Sequence, residues 1–273
     1  MKPLMKASVF TKPFPKDSLQ ALALRVKKMG FQGIEYPFRR GFQVEMEQAR
    51  ERLPALVEAM KAQHLEVTVA TADFDQHNSP AVEAFYKAVG DAGIPFIRPA
   101  YYPARAGCFW SDSEEARRKL KSLAALSAAY GPKTLLHIHS GSLFTCTCLG
   151  TRTLADNCDP QHVGIYFDFA HLALNGEPYE MGLDICGDYL SLVGVKASRY
   201  VPLQRDEHGQ LRYGVEWVPL AEGMTDWSFA VKLLKQFKYN GPYIFHAEYT
   251  VRERTEEFVV EDRKYLAELV DAI

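Results

Sequence analysis

Short apolar runs recur along the chain, each followed by a stretch in which apolar residues return every three or four positions. The runs are Ala7 to Phe10, Gly33 to Tyr36, Leu65 to Ala70, Phe96 to Arg98, Leu135 to His139, Val163 to His171, Leu192 to Lys196 and Tyr243 to Glu248. A strand pattern alternating with a helix pattern from end to end predicts a parallel sheet with helices packed outside it. Eight such units in 273 residues predict one α/β domain, a single (β/α)8 TIM barrel spanning residues 1–273.

Turn and cap residues punctuate the pattern. Asp17 or Ser18 opens a helix through Leu22 and Val26 that stops at Gly30. Pro54 either kinks the second helix or starts a fresh one, because proline removes an amide donor from the ladder. Ser79-Pro80 opens the third, and the fourth is expected from Ser113 to Tyr130, ended by Gly131-Pro132. About 23 residues separate the fifth and sixth runs, so the helix between them is expected to be short or absent. Residues 198–223 read as a long loop with a turn at Asp206 to Gly209. Thr225-Asp226 then caps a helix from Trp227 to Phe237, and an amphipathic helix closes the chain.

Three runs end in ionisable residues, which a strand buried on both faces does not tolerate without a partner, a metal or a wet pocket. They carry His137 and His139, then Asp168 and His171, then His246 and Glu248. Strand alternation puts His137 with His139, and His246 with Glu248, on common faces. Arg98 and Lys196 close two further runs, and Glu35 lies in the second. In a barrel these ends gather at one mouth.

Charge narrows the partners. Lys plus Arg number 32 and Asp plus Glu 34, a formal charge of -2, which gives no electrostatic footprint for nucleic acid or an anionic membrane. A small-molecule carbohydrate fits better, and the protein partner left open is a second copy of the chain in a homo-oligomer. No apolar run reaches signal-peptide or membrane-span length, so a cytoplasmic location is expected. Five cysteines, an odd number, are expected to be reduced thiols, and Cys146-Thr147-Cys148 lacks the usual zinc spacing.

Gly30-Phe31-Gln32-Gly33-Ile34-Glu35, Asp168-Phe169-Ala170-His171 and Val193-Gly194-Val195-Lys196 resemble the second-, sixth- and seventh-strand motifs of the xylose isomerase-like barrels. Leu220 to Gly223, Asp226-Trp227 and Tyr239-Asn240-Gly241 resemble the stretch before that family's eighth strand. The family comprises sugar isomerases, epimerases, dehydratases and related endonucleases. The resemblance implies a divalent metal held by Glu, Asp, His and Glu on strands five to eight. Only Asp168 matches. His137 stands for the first glutamate, Gly194 for the histidine, and His246 or Glu248 for the last glutamate.

The expectation is a remodelled metal site of Asp168, His137 and His246 with Glu248, taking Mn, Zn, Fe or Co, in a sugar isomerase or epimerase that transfers a proton on a small carbohydrate or keto-sugar. His137, His246, Glu248 and Lys196 are the candidate catalytic groups; Glu35, Arg98, His139 and His171 are candidate substrate-binding groups. Glu35 alternatively pairs with Arg98 or Arg39, and His171 alternatively orients Asp168. Without a metal, histidines titrating near 6.5 take over acid–base work. A dehydratase or lyase on a sugar-derived substrate, and a sugar-binding barrel that has lost its metal, are the competing readings.

Overall fold

The computed structural model describes residues 5–272. Inward strand residues meet at the axis and build the core. Strands β1 (Ala7–Phe10), β2 (Gly33–Pro37), β3 (Glu66–Thr71), β4 (Phe96–Arg98), β5 (Lys133–His137), β6 (Val163–Asp168), β7 (Leu190–Val195) and β10 (Tyr243–Phe245) close a barrel in the order β1-β10-β7-β6-β5-β4-β3-β2. Every pairing in the barrel is parallel. The helices α1 (Leu19–Lys28), α2 (Ala49–Lys61), α3 (Pro80–Asp91), α4 (Phe109–Tyr130), α5 (Cys148–Ala155), α6 (Phe169–Asn175), α7 (Tyr179–Cys186), α8 (Trp227–Gln236) and α9 (Thr255–Asp271) follow the strands. The expected (β/α)8 barrel is therefore the fold.

One layer inside the barrel is a plug of Phe10, Val69, Leu135, Tyr166, Leu192 and Ile244. Because side chains alternate, the residue two further along each strand points inward one layer higher. That step leads to Lys12, Thr71, His137, Asp168, Gly194 and His246. The candidate site is thus the next layer of the barrel interior, where apolar side chains give way to polar ones.

Four local expectations are corrected. The segment expected as a loop after β7 is an antiparallel hairpin, β8 (Ala197–Arg205) with β9 (Leu211–Val218), whose alternating Tyr200, Pro202 and Tyr213, Val215, Trp217 share one face. α4 begins at Phe109 instead of Ser113. The sixth run does not continue as strand to His171: Asp168 ends β6 and its Oδ1 caps α6 by accepting from the amides of Ala170 and His171. β5 and β10 stop at His137 and Phe245, so His139 and Glu248 lie beyond the ladder, and Ala247 takes a positive φ of 51°. Pro54 sits inside a continuous α2, and all five cysteines are free thiols. Among the described residues no helix is long and apolar enough to cross a membrane.

Candidate functional site

His137, Asp168 and His246 come from β5, β6 and the end of β10, and their ligand atoms lie within 4.8 Å of one another. His137 Nε2 is 3.3 Å from Asp168 Oδ2, and His246 Nε2 is 4.0 Å from the same oxygen. Two imidazoles and a carboxylate are a donor set suited to Zn, Mn or Fe with positions left for a substrate. Burial pushes both imidazoles well below their ordinary pKa, which keeps them neutral as ligation requires. By donor type, protonation state and convergence, these residues fit a divalent metal.

Beneath them is a buried polar floor. Glu35 is fully buried and accepts from Arg98 Nε at 2.9 Å and from the Thr71 hydroxyl at 2.6 Å. The Tyr166 hydroxyl donates to Glu35 Oε2 at 2.9 Å and accepts from His246 Nε2 at 2.8 Å, which orients that ring and leaves its Nδ1 as the unprotonated nitrogen. Tyr101 plays a similar part above, its hydroxyl 3.0 Å from His137 Nδ1 while it accepts from Arg98 Nη1 at 3.2 Å.

Lys196 is buried, with Nζ 3.4 Å from Asp168 Oδ2, 3.6 Å from Glu248 Oε2 and 4.5 Å from the centre of the Trp217 ring. It donates to His171 Nε2 at 2.8 Å, so the His171 proton is on Nδ1 and is donated to Ser140 Oγ. His171 is fully buried with both nitrogens engaged. His139 donates Nδ1–H to the Ser140 carbonyl at 2.8 Å. Glu248 Oε1 accepts from Lys12 at 2.9 Å, and its Oε2 lies 4.0 Å from His246 Nδ1, outside the three-residue cluster. Asp168 is buried, yet Lys196, with help from the His171 amide, pulls its pKa down to about 2; Lys196 and Lys12 do the same for Glu248.

A cavity of about 140 Å³ opens onto Tyr101, His137, His139, Lys196, His246 and Glu248. A larger groove of about 720 Å³ lies outside the barrel between α2 and α3, along Leu53, Val57 and Ala88, and gathers no such cluster. The cluster of ionisable groups is therefore at the smaller cavity. The structure brings together all the residues singled out from sequence: Glu35, Arg98, His137, His139, Asp168, His171, Lys196, His246 and Glu248. It adds Tyr166, Ser140, Lys12 and Trp217; Tyr101 belongs to an aromatic loop, Tyr101-Tyr102-Pro103, that the sequence itself offers as a cover for the barrel mouth or a stacking surface. Tyr166 was within reach of the pattern, since it shares a face with Asp168. Trp217 carries no such signal, because the hairpin brings it back from 21 residues beyond Lys196.

Acid should unfold the protein early. Buried His137, His171 and His246 all have pKa values well below 6.5, so below that pH the unfolded chain binds more protons and stability falls. The three together contribute up to about 4 kcal/mol per pH unit, at about 1.4 kcal/mol each. Asp262, pushed up to about 6 chiefly by burial, acts oppositely between roughly pH 4 and that value, one group against three. Melting temperature measured in chelator should drop steeply between pH 7 and 5.5; a flat profile there would contradict this account.

A closed parallel barrel with its polar residues at the strand C-termini has the architecture in which catalytic sites sit at that mouth. Residues 23–269 match the family model for the xylose isomerase-like TIM barrel, and the chain belongs to that family. Its fold is similar to that of a 3-keto-D-glucoside 4-epimerase from E. coli (TM-score 0.73, 19% identity, 96% of this chain and 98% of that one). It is also similar to a probable 3-DHS dehydratase from Bacillus anthracis (0.72, 17%, 96% and 98%). A D-psicose 3-epimerase from Clostridium cellulolyticum H10 superposes comparably (0.71, 14%, 97% and 99%). No curated protein sequence matches the chain significantly.

Proposed function

We propose that the chain is an epimerase or isomerase that moves a proton on a small keto-sugar, with Mn, Zn, Fe or Co as a cofactor held by His137, Asp168 and His246. The observation that carries this reading is the convergence of two neutral imidazoles and one carboxylate beside a buried ammonium group. A metal bound there would polarise a substrate carbonyl or hydroxyl oxygen.

The remaining roles fall to the chain's own groups. Lys196 Nζ donates a hydrogen bond to the oxygen that gains negative charge as the proton leaves its neighbouring carbon. Glu248 Oε2, at the wetter edge of the cavity, accepts that proton. His139 lines the cavity while its Nδ1 is held by the Ser140 carbonyl, and it binds a sugar hydroxyl. Arg98 and Glu35 hold Tyr101 and Tyr166, which orient the two imidazoles. The cavity volume, about 140 Å³, suits a small substrate. Likeness to a protein named for a keto-glucoside supports a carbonyl next to the reacting carbon.

The test couples elemental analysis to isotope exchange. Protein purified without chelator should carry about one metal per chain, and an Asp168→Ala, His246→Ala double variant none. In D2O, the wild-type protein should place deuterium on the carbon beside the carbonyl of a responsive keto-sugar. Failure of both would retire the proposal. The likeness to a probable dehydratase favours a second reading, elimination after the same proton abstraction. An unsaturated carbonyl among the products would decide for it.

A further inference from the structure

Within the inward layer that presents His137, Asp168 and His246, one position has no side chain. Gly194 pairs in register with Asp168 on β6 and with Ile244 on β10. A Cβ placed on it would lie 3.0 Å from Asp168 Oδ2, 3.1 Å from His246 Nε2 and 3.1 Å from Tyr166 Cε2. A carbon atom that close forces its neighbours to retreat, and interiors transmit such strain.

None of the three is free to retreat. Asp168 Oδ1 is fixed by the amides of Ala170 and His171 at 3.0 and 3.1 Å. Tyr166 is fixed by Glu35 at 2.9 Å, and His246 Nε2 by the Tyr166 hydroxyl at 2.8 Å. The space that residue 194 leaves empty is therefore the space in which a carboxylate from β6 and an imidazole from β10 approach each other.

We infer that Gly194 is the positioning residue of the centre: its missing side chain admits the His246 imidazole as a donor beside Asp168. The inference rests on the metal centre proposed above. Read from sequence alone, a glycine at an inward position of β7 looks like a lost ligand. In the folded chain it is the condition for a ligand arriving from the neighbouring strand. The corollary is that donor and space are exchangeable between β7 and β10, since a side chain at 194 would start at the Asp168 carboxylate.

Calorimetric titration with Mn²⁺ and Zn²⁺ tests this on the metal-stripped wild type, Gly194→Ala, Gly194→His and the Gly194→His, His246→Gly double variant. Gly194→Ala should weaken metal binding by about 10–100-fold, the usual effect of disturbing a group that orients a ligand. Gly194→His should lose measurable binding, and the double variant should regain part of it, because one ring is removed as another is added while the contacts of the new Cβ with Asp168 and Tyr166 remain. A merely structural glycine would lower the melting temperature without this loss and rescue. Wild-type affinity in Gly194→Ala, or a double variant no better than Gly194→His, would overturn the inference. If Gly194→Ala does not fold, the double variant decides. A wild type that binds neither ion defeats the metal centre and this inference together; a wild type that binds, with indifferent variants, defeats this inference alone.

Discussion

Asp168→Ala should empty the centre of metal and lower the melting temperature by on the order of 10 °C. Asp168 performs two jobs with two oxygens: Oδ1 caps α6, and Oδ2 faces His137 and Lys196. Removing it leaves a buried ammonium whose remaining carboxylate is Glu248 at 3.6 Å. Breaking a buried charge pair from one side costs about 3–5 kcal/mol, and losing a helix cap adds about 1 kcal/mol. At about 2–4 °C per kcal/mol for a domain near this size, the shift is readily measured by calorimetry. Asp168→Asn separates the two jobs. It keeps the Oδ1 acceptor and should recover part of the melting temperature while leaving metal content low. Wild-type metal content and melting temperature in the alanine variant would sink the assignment.

Glu35→Ala should be as damaging without touching a metal donor. The side chains of Glu35 and Arg98 are 0% and 4% exposed, and the carboxylate also serves Thr71 and Tyr166. Alanine leaves a guanidinium uncompensated and two hydroxyls without their acceptor, a loss of about 3–5 kcal/mol for the charge alone. By contrast Lys87 and Asp91, 58% and 67% exposed at 2.8 Å, are worth at most about 1 kcal/mol. A Glu35→Leu, Arg98→Met pair should recover most of the stability, since apolar packing often matches a buried ion pair. It should not recover function, because Tyr166 and Tyr101 lose the groups that hold them. Denaturation midpoints for the single and double variants give the answer; a Glu35→Ala protein within about 1 kcal/mol of wild type would refute the argument, that being the size of an ordinary surface change.

The barrel was legible because each strand is a separate apolar run and turn or cap residues punctuate the stretches between them. Ser18 and Asp226 cap α1 and α8 as their positions suggest. The hairpin was missed although its alternation was present: Tyr200 and Pro202, then Tyr213, Val215 and Trp217, flank a turn at Asp206 to Gly209. Its strands are largely exposed and flank a polar turn, which resembles a loop when composition outweighs period. At the site, strand endings disclosed His137, Asp168 and His246 because alternation is local. What local pattern does not carry is the bonding across strands. That Tyr166 ties Glu35 to His246, 131 and 80 residues away along the chain, depends on barrel closure. The same holds for the space at Gly194, which exists only once β6 and β10 flank β7.

Around the cavity every cation has a carboxylate within 4 Å: Lys12 with Glu248, Arg39 with Asp73, Arg98 with Glu35, and Lys196 with Asp168. Paired this way, the side chains of the mouth project little field of their own beyond a Debye length, about 8 Å at physiological ionic strength. A ligand therefore arrives by unguided diffusion and is recognised only on contact, so its association rate should be nearly indifferent to salt. Discrimination shifts to the departure rate, where the rigidity of the polar floor determines how long a well-fitting ligand stays.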